Sequence, residues 1–229
     1  MASTHTVTTD TKMIPIIAID GPTASGKGTV AQAVAKELGF HYLDSGALYR
    51  IVGLASQQAN VEFSQHQQLG KMCLGLQIEF VGNQVFLNQK DVTEAIRTEE
   101  MGQRASSVGA IPAVREALFS LQKGFLKEPG LVADGRDMGS VIFPEAQLKV
   151  FLTATPQIRA QRRYKQLIAK GISANIDILT QDLVERDLRD TQRETAPLVQ
   201  SEDAFLLDTS NKTIEAAVQQ IIVWYQSVK

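Results

Sequence analysis

Lys27 stands in Gly21-Pro22-Thr23-Ala24-Ser25-Gly26-Lys27-Gly28-Thr29, a stretch suited to holding phosphate. Glycines let successive backbone N–H groups point into one concavity, a helix N-terminus adds partial positive charge, and the lysine adds a whole one. The match needs a strand before it and a helix after it. Ile14–Asp20 is an apolar run that reads as a buried strand, and Val30, Ala31, Val34, Ala35 and Leu38 fall on one helical face. Gly28 follows the lysine where Ser or Thr usually stands, and Thr29 comes one residue later. That spacing weighs against switch GTPases. Thr29 is the candidate magnesium contact, through water if not directly.

Arginine placement is the second signal. Seven of the eleven arginines lie between positions 136 and 193. Arg159, Arg162 and Arg163 share one helix face, and Arg186, Arg189 and Arg193 another. Guanidinium forks match phosphate oxygens, so two such faces suggest a polyphosphate clamp. The competing reading pairs them with Asp182, Asp187, Asp190 and Glu194 on a solvated surface. A third candidate site is Asp44-Ser45-Gly46-Ala47-Leu48-Tyr49-Arg50, which opens a helix after a strand. Ser45 and Tyr49 share a face there, and with Arg50 they suit a second phosphate, that of an acceptor. The plainer alternative is a helix cap at Asp44 or Ser45 followed by a core Tyr49.

These groups need a scaffold. The apolar segments Ile14–Asp20, Phe40–Leu43, Leu131–Ala133, Leu148–Leu152 and Ala204–Asp208 alternate with helical patterns, which implies a five-stranded parallel sheet covered by helices. Leu76–Phe80 and Val85–Leu87 flank Val81-Gly82-Asn83-Gln84, a hairpin signal, with a third extended piece at Asp91–Thr93. Helices are expected at Glu99–Val108, after Pro112, at Gln157–Ala169 and at Ile176–Thr191. A last helix carries Ile214, Val218, Ile221, Ile222 and Tyr225 on its inner face. The domain reading is a leader over 1–12, core over 13–59, an inserted monophosphate-binding lobe with a small antiparallel sheet over 60–106, core over 107–155, a helical lid over 156–186 and core over 187–229.

Composition narrows the function. The chain has 229 residues and a formal net charge of −2, which gives no electrostatic footprint for nucleic acid. Cys73 is the single cysteine, so no internal disulfide can form and a reducing cytoplasm is the natural setting. No apolar run spans a bilayer. Residues 1–12 are polar, Thr-rich and lack arginine, which reads as a disordered leader without organelle-targeting character. A guanine-nucleotide switch needs Asn-Lys-x-Asp, whereas Asn211-Lys212 is followed by Ile214 at the aspartate position.

The loop GPTASGKGT, the segments LDSGALYR and LVADGRDMGSVIFP, and ERDLRDTQRETAPL together resemble the bacterial cytidylate kinase family, from about Ile14 to the C-terminus. The resemblance implies a P-loop kinase fold and transfer of the γ-phosphoryl of ATP, with magnesium, to CMP or dCMP. It implies that Gly21 to Thr29 bind ATP and that Arg159, Arg162 and Arg163 belong to the lid above it. By the same resemblance Ser45, Tyr49, Arg50, Arg136 and Arg193 hold the acceptor phosphate, while Ser106, Arg115 and Asp137 read cytosine. Arg186 and Asp190 meet the sugar. Lys27, Arg136, Arg163 and Arg193 are the expected catalytic cations, and a monomer is the expected working unit. The alternatives are a related kinase acting on UMP or AMP, and a nucleotide-binding protein that is not a kinase.

Overall fold

The computed structural model describes residues 13–82 and 84–229. The leader expected over 1–12, and Asn83 of the expected hairpin turn, lie outside the described residues.

The main sheet contains β1 (Ile16–Asp20), β2 (His41–Asp44), β6 (Leu131–Gly135), β7 (Leu148–Thr153) and β8 (Phe205–Asp208). Their order is β2-β6-β1-β7-β8, every pair parallel. β1 and β6 are buried along their whole length, as strands covered on both faces must be. Helices α1 (Lys27–Leu38) and α8 (Ile214–Val228) pack together over one apolar cluster. A second cluster joins α2 (Ser45–Gln58), α4 (Glu99–Val108) and α5 (Pro112–Lys123) to the sheet. The lid helices α6 (Pro156–Ala169) and α7 (Ile176–Gln192) share only Ala160, Leu167, Leu179 and Leu183 as a buried core of their own. Among the described residues no helix is long and apolar enough to cross a membrane.

The insert holds a three-stranded antiparallel sheet, β3 (Ile78–Val81), β4 (Gln84–Leu87) and β5 (Lys90–Asp91). Val85, Leu87 and Val92 belong to the same apolar cluster as Ile16 and Leu43, so the insert is packed onto the core rather than tethered to it. Two insert elements have no counterpart in the sequence reading. Helix α3 (His66–Leu74) buries Leu69 and Cys73 and packs on α5, and a 3₁₀ turn covers Ala95–Arg97. The polar run Gln65–Gln68 masks the first, because its apolar face is only Leu69, Met72 and Cys73 wide. Ile214 is corrected from inner face to surface. It is the first residue after the Thr213 cap and is 48% exposed, and burial begins one turn later at Ala217 and Val218.

All five parallel strands point their carboxyl ends at one edge, where ligands bind in such sheets. The phosphate loop follows β1, the Ser45 helix follows β2 and Arg136-Asp137 follows β6. Gly21 has φ 155°, and a Cβ there would collide with the carbonyl oxygen of Leu152 on β7, so only glycine lets the loop leave β1 this close to its neighbour.

Candidate active site

Helix α1 begins at Lys27 with Gly26 before it in the left-handed region. Ala24, at φ 57°, is a non-glycine residue held in that same region, the sort of strain that persists where a loop is shaped for a ligand. Lys27 is 9% exposed, and its Nζ donates to Pro22 O across the loop at 3.3 Å. Burial, and next the charge of Arg136, bring its pKa down to about 7.

All ten residues expected at the acceptor line one cleft of about 240 Å³, with Lys27 and Gly28 beside them. Asp44 caps α2, its Oδ1 accepting from Ala47 N at 2.9 Å, and Ser45 and, one turn on, Tyr49 line the cleft. The cap at Asp44 is thus observed, and Tyr49 is at once a member of the buried apolar cluster and part of the cleft lining. Arg50 Nη1 donates to Ile96 O and Thr98 O, each at 2.9 Å. Arg115 is ion-paired with Asp137, and Arg193 Nη2 lies 3.9 Å from the other Asp137 oxygen. Asp190 accepts from Ser106 Oγ and Arg136 Nε, both at 2.9 Å. Arg193 lies one residue past the end of α7 and reaches the cleft by donating its Nε to Ala196 O at 2.7 Å. Arg189, grouped with these on the helix pattern, is exposed and outside this cleft.

The cleft is short of negative charge. Burial lowers the pKa of Arg50 and Arg193, and burial with the neighbouring Arg136 brings Arg186 down to about 10. Arg186 Nε and Arg193 Nη2 are buried donors without a hydrogen-bond partner. Buried donors are normally satisfied, and an anion bound here completes them. Asp190 pairs with Arg136 inside the cleft, so the surface-pairing alternative fails for it. The alternative holds only in part for Asp187, which pairs with Arg159.

The lid arginines divide. Arg159 is 2% exposed and donates to Ala154 O at 3.0 Å and to Thr23 O at 3.1 Å. Arg162 donates to Ser25 O at 3.0 Å and Thr209 O at 2.5 Å. Both therefore hold the lid against the phosphate loop's carbonyls. Arg163 pairs with Glu99 at the start of α4, and Lys170 with Glu94 at 3.2 Å, so two ion pairs bridge lid and insert. Thr29 is exposed and lines a separate wide cleft of about 1870 Å³, along with Gly28, Arg50 and Arg163.

Two aspartates at the strand ends were not singled out by the motifs. Asp134 sits inside LVADGRDMGSVIFP, 4% exposed, and its Oδ2 accepts from the Tyr42 hydroxyl at 2.7 Å. Burial, and next the adjacent Asp44, raise its pKa to about 6. A Cβ on Gly28 would come within 3.2 Å of that carboxylate, so glycine after Lys27 leaves room for Asp134 where a hydroxyl usually stands. Asp20, directly before the loop, accepts from Met138 N and Gly139 N, both at 2.8 Å. It thereby fixes the π-type turn Met138–Ile142 that follows Asp137. Burial raises the Asp20 pKa to about 7 from 3.8. A raised folded-state pKa means a contribution that is full below 3.8 and lost as pH rises through about 7. Asp20→Asn should flatten that part of the stability curve. Urea midpoints measured across the interval check it, and parallel curves for the two proteins would count against it.

Comparison with known proteins gives one family. The cytidylate kinase profile matches residues 17–227. The cytidylate kinase of Polynucleobacter asymbioticus is 59% identical over 214 residues, covering 93% of this chain and 97% of that protein. The cytidylate kinase of Cupriavidus necator is 55% identical, with 95% and 98% covered. That of Chromobacterium violaceum is 52% identical, with 93% and 96% covered. Those matches run through the phosphate loop, the insert and the arginine cleft alike, and the chain belongs to the cytidylate kinase family.

Proposed function

We propose that this enzyme transfers the γ-phosphoryl group of ATP to CMP and dCMP, giving CDP and dCDP. The observation that carries the reading is the 240 Å³ cleft. It joins a cation cluster with unpartnered donors to a buried Arg–Asp pair, directly beside Lys27. The acceptor phosphate takes Ser45, Tyr49, Arg50, Arg136 and Arg193, and the phosphate loop takes the ATP phosphates.

Cytosine offers an N4 amino donor beside acceptors at N3 and O2. Asp137 can accept from the amino group while Arg115 donates to the acceptors. Uracil turns the donor into an acceptor, which leaves the carboxylate facing an oxygen. Ser106, bound to Asp190, joins this base-reading group to the sugar-facing pair Arg186 and Asp190.

An acceptor phosphate oxygen attacks the γ-phosphorus, forming the new P–O bond as the bond to ADP breaks. No general base is required, because the phosphate's second pKa of about 6 leaves it largely dianionic. The protein aligns the two phosphates and neutralises charge with Lys27, Arg136, Arg163 and Arg193. Magnesium fits the site. Asp134 is a buried carboxylate whose raised pKa a cation would bring down, it lies beside Gly28, and Tyr42 holds its orientation. Bound with the nucleotide, magnesium would supply further neutralisation of the phosphates, with Asp134 and Thr29 as the residues that would hold it, directly or through water. Among the described residues no cluster of His, Cys, Asp and Glu could hold a metal unaided, which suits an ion that arrives with ATP.

A monomer is the working unit in this reading. The buried free thiol of Cys73 suits a reducing cytoplasm. Turnover with CMP, dCMP, UMP, AMP and GMP, compared side by side, tests the assignment. CMP and dCMP should lead in kcat/KM by orders of magnitude, and UMP or AMP in first place would overturn it.

A further inference from the structure

Helix α5 buries Val114, Arg115, Leu118 and Gln122. Arg115 and Gln122 are seven residues apart, hence on one face and about two turns from each other. Arg115 serves Asp137, and nothing yet described needs Gln122. Its side chain is fully buried, at 0% exposure. Oε1 accepts from Ser45 Oγ at 2.9 Å. Nε2 is buried without a hydrogen-bond partner, and so is the Tyr49 hydroxyl. The amide lies close enough to the phenol to favour its ionised form as a hydrogen-bond donor would, yet the contact falls short of full hydrogen-bond geometry. The Arg115 guanidinium sits over the Tyr49 ring at 5.8 Å. Tyr49 therefore lies between the two buried polar residues of α5.

An apolar side chain would fill this position without leaving a donor unsatisfied, so the amide calls for a reason. Two adjacent orphans, one amide and one phenol, mark a network that a ligand completes.

We infer that Gln122 is a positioning residue of the acceptor-phosphate site. Its Nε2–H donates to the Tyr49 oxygen when substrate binds, while its Oε1 anchors Ser45. Tyr49 then has one place left for its own proton, the phosphate oxygen in the cleft. The phenol keeps that proton at neutral pH, since burial pushes its pKa up to about 12. Gln122 thus acts through Ser45 and Tyr49 and touches no reacting atom. The inference rests on the CMP kinase reading and deepens it.

The amide chemistry makes the test sharp. Methionine keeps the volume and removes both polar contacts. Glutamate keeps the shape but has no donor. It accepts the Tyr49 proton, turns it away from the cleft and sets a negative charge beside a phosphate. Kinetics for Gln122→Met and Gln122→Glu, alone and with Tyr49→Phe, decide the matter, with melting temperature followed throughout. Wild-type turnover of CMP is measured first, and its absence would defeat the function reading rather than this one. Gln122→Met should raise KM for CMP by about tenfold, the order expected for one lost hydrogen bond. KM for ATP should stay as it was. Gln122→Glu should raise KM for CMP further still. In the Tyr49→Phe background Gln122→Met should add only the smaller part carried by Ser45, because the proton it directs is gone. If the methionine variant does not fold, Gln122→Asn retains the amide, draws it back by one methylene, and should give the same split. Equal rises in KM for CMP and ATP, or full additivity with Tyr49→Phe, would overturn the inference.

Discussion

Replacing Lys27 by methionine should lower kcat by about 10²- to 10³-fold, the usual loss when one preorganised donor to developing charge is removed. The side chain is 9% exposed at the mouth of α1, and its Nζ already points across the phosphate loop towards Pro22 O. An ammonium held there meets charge that develops on the transferred phosphoryl. The fold should not suffer. Burial and Arg136 bring the Lys27 pKa down from 10.5 to about 7. A depressed folded-state pKa means stability present above 10.5 and lost as pH falls through about 7. At neutral pH the lysine therefore costs stability, and the methionine variant should melt at the wild-type temperature or above it. Steady-state rates beside calorimetric melting check both halves. Near-normal turnover, or lost turnover accompanied by a lower melting temperature, would remove Lys27 from the catalytic role.

Asp137→Asn should lower kcat/KM for CMP by about 100-fold or more, as expected when a buried charge-assisted bond is cut and its partners are left without a counter-charge. Asp137 is 2% exposed and faces two guanidinium groups. A carboxylate has about four lone-pair sites. Arg115 takes one oxygen, and the other is available to an amino group in the cleft. Asparagine keeps the shape and one acceptor but loses the charge, and its own N–H₂ meets the arginines. The damage has two sources, and the choice of acceptor separates them. Misplaced Arg115 and Arg193 penalise every monophosphate alike. Loss of the acceptor for N4–H₂ penalises CMP alone. The expected result is a CMP loss well beyond the UMP loss. A CMP-to-UMP ratio equal to that of the unaltered enzyme would reduce Asp137 to a support for Arg115.

The three lid arginines meet different partners. Arg159, Arg162 and Arg163 were grouped as one ATP clamp, yet the first two are occupied by carbonyls of residues 23, 25, 154 and 209. Arg163 instead pairs with the half-exposed Glu99 at the start of α4. Spacing along a helix tells which residues share a face and is silent on what the face meets.

That contrast runs through the molecule. The glycine pattern, the alternation of strands and helices, and the start of α2 at Ser45 were legible because each follows from local chemistry. Gly21 needs a φ closed to other residues, β1 needs continuous apolar side chains, and Asp44 caps the helix it precedes. Ser45, Tyr49 and Arg50 were read as an acceptor site from their own segment, the other seven acceptor-site candidates were assigned by resemblance to a family, and the fold alone brings all ten into one cleft. Asp20, Asp134 and Gln122 left no readable mark. An aspartate before a glycine loop, an aspartate within a quoted motif and a glutamine on an amphipathic helix are ordinary in isolation. Their roles come from partners 118, 92 and 77 residues away. Side chains that cap a distant turn or aim a distant hydroxyl act over a few ångströms of space that only chain closure creates. The sequence by itself determined which backbone could cradle phosphate, and the tertiary structure decided which buried groups face one another across it.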